Sequence, residues 1–516
     1  MKIQLFIGLS MIDQEKRVKL KVKNTASFIL VLLAIFCASI LVRLPHFLSN
    51  DFFFDGDEGI LGIMAQDFLL GKGLPLYFYG QNYGFSSLEV VSTAFFIKLI
   101  GSGIWALRLG GLLLFSIGLT FVWKALIETK TSKIISILCL ILLLLSPTWF
   151  LWGGMVRGGY VTAFMCLGVL FYIAQVKLLN WKWIIISSVF SVVAYESQPL
   201  LFIPILPFLI NWMIPIKVNF KKLIVFIFLS ALLIVTLHYF GANETVWSAP
   251  KSVFFDAEQF ENLAIQSEGM IYGYSNFFFF TINIPISTWW FVLLLISLVL
   301  LVLYILQFYL KSHKQHRRVV LLMVVCLLLS VFLISSVSLY SPRYWLGFFT
   351  GILFLFIYAV IHGDDMKNRF SVLVGLIFIY TLGLISAREM KRDWYFVNVN
   401  EVNTITELYH EVKSRKIKAV FITDPVLQWK WNYLFGRSIP GTYFSEKERT
   451  NEFRYMVFHE LDENPSNTAI IGLFGNYSGF DESASFKAKI DQVAIKYYIM
   501  DEVEKSLVND AMVRLK

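Results

Sequence analysis

Long apolar runs alternate with short connectors rich in lysine and arginine along most of this chain. The first covers residues 28–42, behind a tail carrying Lys16, Arg17, Lys19, Lys21 and Lys23. A cleaved signal peptide would begin its apolar core sooner and end in small residues, so this run reads as a first membrane span. Further runs lie at 104–124, 134–151, 159–176, 182–196, 199–215, 222–240, 286–309, 319–339, 344–361 and 370–387. Crossing the hydrocarbon layer takes about 20 residues, so the short 182–196 run is expected to be tilted, broken or differently bounded. The pattern predicts a polytopic α-helical membrane protein with a bundle of about eleven transmembrane helices.

The basic connectors orient this bundle. Lys124, Lys130 and Lys133 follow the second span, Lys177 and Lys182 the fourth, and Lys217, Lys221 and Lys222 the sixth. Lys311, Lys314, Arg317 and Arg318 follow the eighth, and Lys367 and Arg369 the tenth. All fall on the side of the basic N-terminal tail, which the positive-inside rule places in the cytoplasm. The expected protein sits in the cell membrane with residues 1–24 cytoplasmic, 25–388 in the membrane domain, and 389–516 extracytoplasmic. Two long connectors, 45–103 and 241–285, then lie outside. Within the first, the apolar stretch 88–100 is too short for a span and reads as an interfacial or re-entrant helix.

Composition agrees with this reading. Hydrophobic residues make up 57% of the 516 and charged residues only 16%, against roughly a quarter in soluble domains. The net charge of +9 could suggest nucleic acid, but the chain from Lys391 onward holds 17 basic and 18 acidic residues. The surplus therefore belongs to the connectors, where it reads as topology, and no nucleic-acid partner is expected. Cys37, Cys139, Cys166 and Cys326 all fall within predicted spans. They read as small packing residues rather than as a disulfide framework. Beyond residue 388 the pattern changes, with a candidate surface helix at 404–413 and strand-like runs at 419–423, 469–473 and 494–500. These predict a small C-terminal α/β domain.

The densest chemistry is Phe54-Asp55-Gly56-Asp57-Glu58-Gly59, just beyond the first span. Three carboxylates so close together need water, an arginine, a cation or a raised pKa. They could form an acid/base site, a solvated helix N-cap, or a site for a divalent cation, for which no diagnostic ligand set exists. On the same expected side lie Gly80-Gln81-Asn82-Tyr83-Gly84, suited to a sugar or to the lipid interface. Arg157 lies in Val156-Arg157-Gly158-Gly159-Tyr160, and Arg343 in Ser341-Pro342-Arg343-Tyr344-Trp345. Isolated arginines there could anchor lipid headgroups; beside a carboxylate cluster they could also neutralise a phosphate leaving group.

The layout over residues 25–387 resembles membrane glycosyltransferases of the GT-C superfamily, especially the protein O-mannosyltransferase and lipid A aminoarabinose-transferase-like branch. The resemblance rests on residues 54–59, on 80–84 with Leu88 and Glu89, on Gly101 with Ala106-Leu107-Arg108-Leu109, and on Pro342-Arg343-Tyr344. It implies transfer of a sugar from a polyprenyl-phosphate-linked donor to an extracytoplasmic glycan, lipid or protein acceptor. By the same resemblance Asp57, with Glu58 beside it, would activate the acceptor. Arg343, Tyr344 and more weakly Arg157 would face the donor phosphate, while Asp55, Gln81, Asn82 and Tyr83 are left for sugar or acceptor. The added Asp55 departs from the family's simpler Asp-Glu pattern. The rival readings are a glycan-lipid transporter or flippase, which would favour buried charge pairs and paired broken helices, and a noncatalytic envelope assembly protein.

Overall fold

The structure is a computed structural model describing residues 26–45, 47, 54, 56–79, 84–150, 152–176, 180–213, 220–241, 261–263, 288–335, 342–363, 366–394, 401–417, 419–422, 425–443, 468–473, 495–499 and 512–515. The tail before residue 26, Asp55, Gln81, Asn82, Tyr83 and most of the 241–285 connector lie outside the described residues.

Among the described residues, helix α1 (Ala26–Pro45) is the first of five helices long and apolar enough to cross a membrane. The others are α4 (Ile104–Glu128) and the stretches Lys221–Tyr239, Lys314–Ser335 and Arg343–His362. A sixth results if α5 (Lys133–Leu145) and the bent segment after it count as one broken span. Shorter apolar helices fill in between them, including α7 (Tyr160–Val176). The chain is thus a multi-pass helical membrane protein. Among the described residues two helices lie between α1 and α4: α2 (Gly56–Leu69), carrying the acidic residues, and α3 (Ser87–Ile100), ended by Gly101 at φ 86°. Neither is long enough to be a span.

Buried backbone polar groups need partners, and that requirement shapes the break after α5. Pro147 follows Ser146, and the next helical segment bends away by 76°. Carbonyl groups freed near the break meet the fully buried guanidinium of Arg43 on α1. Arg43 Nη2 donates to Trp149 O at 2.9 Å and Nη1 to Ser39 O at 3.0 Å, while Nε donates to Phe150 O. The rings of Phe115 and Phe150 each lie 5.2 Å from the same guanidinium. Arg43 thus pins the broken span against α1 and α4. Nearby, α4 and α7 pack at close range, because a Cβ on Gly168 would come within 2.3 Å of Gly118 O. Small residues at such contacts let helix backbones approach.

Toward the C-terminus, strands β1 (Ala419–Ile422), β2 (Gly441–Tyr443), β3 (Thr468–Leu473), β4 (Ile495–Ile499) and β5 (Met512–Leu515) pair in the order β2-β1-β3-β4-β5. All pairings are parallel except β4 with β5. The helices Glu401–Ser414 and Pro425–Phe435 pack on β1 through Ile405, Leu408, Val412, Val420, Leu427 and Trp431. The second of these helices also reaches α2, bringing the C-terminal region to the acidic end of the bundle.

Replacing the Arg43 cap should expose what it supports. Arg43→Leu strands the carbonyls of Trp149 and Phe150, each at a cost of about 1–3 kcal/mol. A lowered thermal unfolding midpoint in detergent is the expected result.

Candidate active site

Asp57 and Glu58 occupy the first turn of α2, where unpaired backbone N–H groups favour negative charge. Successive helical residues point about 100° apart. The two carboxylates therefore part company. Glu58 turns inward, where Arg108 of α4 donates from Nη2 to its Oε2 at 2.8 Å, with both side chains buried. Asp57 keeps a side chain 34% exposed and accepts from Arg157 Nε at 2.8 Å on Oδ2. Arg343 Nη1 stands 4.0 Å from that same oxygen. Mutual repulsion is thus relieved by giving each carboxylate its own guanidinium.

Arg157 reaches Asp57 from a tight turn ahead of α7. Gly158 and Gly159 have φ of 63° and 91°, in the left-handed region that favours glycine. A buried carboxylate from α3 holds this turn: Glu89 accepts from Gly159 N at 3.1 Å and from Thr162 N at 3.3 Å. On the other side, Gln198 Nε2 donates to Gly158 O at 2.7 Å. Burial pushes the Glu89 pKa up to about 7, against the lowering effect of hydrogen bonds from Gly159, Thr162 and Val161. The Trp152 ring lies 5.4 Å from the Arg157 guanidinium and 4.8 Å from the Tyr160 ring. Tyr160 is also within electrostatic reach of Arg343, Arg157 and Asp57.

Arg343 sits in a short 3-10 turn, Pro342–Trp345. Its guanidinium lies 5.3 Å from the Tyr344 ring, and Nη2 donates to the Tyr344 hydroxyl at 3.4 Å. Residues from three remote stretches, 57, 157 and 343, therefore meet at one end of the bundle. Nearby, the base of the polar loop is tied to the end of the helix Trp181–Ser197: Gly84 N and Phe85 N donate to Glu196 O, and Tyr77 donates its hydroxyl proton to Glu196 Oε2. His238 Nε2 lies 3.3 Å from Glu196 Oε1. The loop's tip, with Gln81, Asn82 and Tyr83, is outside the described residues, as is Asp55.

Among the described residues two guanidiniums stand around this one carboxylate, an arrangement that suits an anionic group such as a phosphate. Among the described residues no group of three His, Cys, Asp or Glu side chains comes together to hold a metal ion. Sequence reasoning passed over Glu89 as a support of the Arg157 turn. The available signal was a single acid near the start of an otherwise apolar run, where an unpartnered charge is costly.

Among solved structures, ArnT from Cupriavidus metallidurans bound to undecaprenyl phosphate matches over 94% of each chain, with a TM-score of 0.50 and 11% sequence identity. The apo state of the same protein matches over 95% of each chain, with a TM-score of 0.38 and 13% identity. No protein-family model matches the sequence, and no curated protein does. The likeness is one of fold.

Two outcomes test this geometry. Arg108→Ala leaves Glu58 buried without its guanidinium and should cost about 3–5 kcal/mol, whereas Glu58→Met with Arg108→Met should recover most of the loss in a detergent unfolding assay. Glu89 lies outside the spanning helices, and its folded pKa of about 7 stands above the ordinary 4.5. Its proton is thus held more tightly in the folded protein, so its contribution to stability is full below pH 4.5 and is lost as pH rises toward 7. The thermal midpoint of the unmodified chain should fall across that window relative to Glu89→Gln.

Proposed function

We propose that the chain is a polyprenyl-phosphate-dependent membrane glycosyltransferase of the GT-C type, acting on an extracytoplasmic acceptor hydroxyl. The observation that carries this reading is Asp57 at one end of the bundle with Arg157 and Arg343 beside it. The fold likeness to ArnT supports it, since that structure holds undecaprenyl phosphate, a polyprenyl phosphate.

In the proposed step Asp57 takes the acceptor hydroxyl proton as that oxygen attacks the anomeric carbon. The bond from this carbon to the donor phosphate breaks, and its electrons stay on the phosphate oxygen. Arg343, steadied by Tyr344, and Arg157 offset the charge that develops there. A single displacement inverts the anomeric configuration. Arrival of the phosphate also draws the arginines from Asp57, freeing the carboxylate for its base role. Glu58, committed to Arg108, is assigned to holding α2 rather than to touching substrate. Asp55, Gln81, Asn82 and Tyr83 are assigned to sugar or acceptor contacts. A divalent cation, if used, would need Asp55 beside Asp57.

The proposed topology has about eleven spans in the cell membrane, with a cytoplasmic N-terminus. In it, residues 389–516 form an extracytoplasmic α/β domain built on the paired strands. The donor's lipid tail then enters from the bilayer while its phosphate reaches the arginines at the interface.

The test is reconstitution of the purified chain with a panel of polyprenyl-phosphate sugars, reading donor consumption and acceptor glycosylation. Asp57→Asn should abolish transfer while donor binding persists; normal turnover by this variant would remove the base assignment. Arg343→Ala should raise the donor concentration needed for half-maximal rate by about tenfold or more, in keeping with loss of a charge-assisted hydrogen bond to phosphate. Donor translocation without transfer would instead support a flippase.

A further inference from the structure

We propose that the C-terminal region is a working part of this site: its helix α17 (Pro425–Phe435) sets the rotation and height of α2, with Tyr433 as the positioning residue. The inference rests on the transfer reading and extends it to residues that touch neither donor nor acceptor.

The contact is too close to be incidental. Gly59, Gly62 and Gln66 share one face of α2, and α17 lies flush against it. A Cβ on Gly59 would fall 2.8 Å from Trp429 O, and one on Gly62 would fall 2.3 Å from the Tyr433 ring. Gln66 Nε2 donates to Tyr433 O at 3.0 Å and to Ser102 Oγ at 3.1 Å. The ring of Phe54, just ahead of α2, is 6.1 Å from that of Tyr433.

Tyr433 also ties α2 to its neighbour. Its buried hydroxyl donates to Gly103 O at 2.8 Å and accepts from Gly103 N at 3.1 Å. Gly103 immediately precedes α4, the helix that carries Arg108. A closed circuit results: Tyr433 to Gln66 on α2, Glu58 on α2 to Arg108 on α4, and the start of α4 back to Tyr433. A helix fastened at two well-separated points can neither roll nor slide. Asp57 precedes Glu58 by one residue, so its direction toward Arg157 and Arg343 is set by that double fastening. The phenol's pKa is raised by burial, which keeps the hydroxyl a donor.

Tyr433→Phe removes only the hydroxyl, whereas Gly62→Leu pushes α17 off α2. Both are compared with the unmodified full-length chain in detergent, reading kcat and KM for the polyprenyl-phosphate sugar, the thermal midpoint, and hydrogen exchange of the α2 amides. Tyr433→Phe should lower kcat about tenfold with the donor KM nearly unchanged, because misplacement of a reacting group costs rate before it costs binding, and should lower the midpoint only modestly, since Gly103 O keeps the Ala106 N–H as a donor. Exchange across Gly56–Leu69 should quicken while that of α7 holds. Gly62→Leu should lower kcat and quicken α2 exchange further, with a lowered midpoint as well, because its side chain overpacks the contact with Tyr433. Unchanged kcat and α2 exchange in Tyr433→Phe would overturn the inference, even if Gly62→Leu fails to fold. Lack of transfer by the unmodified chain would instead remove the transfer reading, while the exchange result still decides whether α17 holds α2.

Discussion

Removing a charged group from water costs several kcal/mol unless a partner replaces the lost hydration. Glu58, fully buried in the first turn of α2, meets that cost through Arg108. The rest of the arrangement depends on this pair. It fixes which side of α2 faces the bundle, and it separates two adjacent carboxylates that would otherwise repel each other. It thereby leaves Asp57 directed toward the arginines. Had Glu58 faced the same way as Asp57, both would compete for the same guanidiniums.

The same rule recurs at other buried charges. Glu89 is answered by the backbone N–H groups at the start of α7, and Arg43 by the carbonyl groups of a broken helix. In each case the partner comes from a different segment of the chain. Polar groups therefore act as cross-links between helices whose apolar surfaces alone would allow many rotations. This is how a bundle with few charges obtains a specific geometry at one end.

The helical membrane architecture was legible in the sequence because hydrophobic runs directly reflect the solvent that surrounds them. The acidic segment at Asp57 and the isolated Arg157 and Arg343 were legible as chemistry, and the structure brings those three together. Their division of labour was not. Adjacent positions suggested that Asp57 and Glu58 work side by side, whereas helical geometry turns them apart. The partner of Glu58 lies 50 positions away and that of Asp57 lies 100 positions away. Spacing along a chain cannot disclose such pairings. The approach of α17 to α2 was equally hidden, since the spacing of Gly59 and Gly62 along the chain does not say which helix packs on that face.

Arg43 has a bearing on how the chain is assembled. It belongs to α1, yet two of its carbonyl partners, Trp149 and Phe150, are synthesised more than a hundred residues later. A guanidinium near a helix end can wait at the bilayer surface by extending its side chain toward water. It can be buried only after α4 and the broken span have arrived. Helix α1 is then inserted ahead of α4 and the broken span yet settles only after them, which makes its final placement a checkpoint on the order in which the bundle closes.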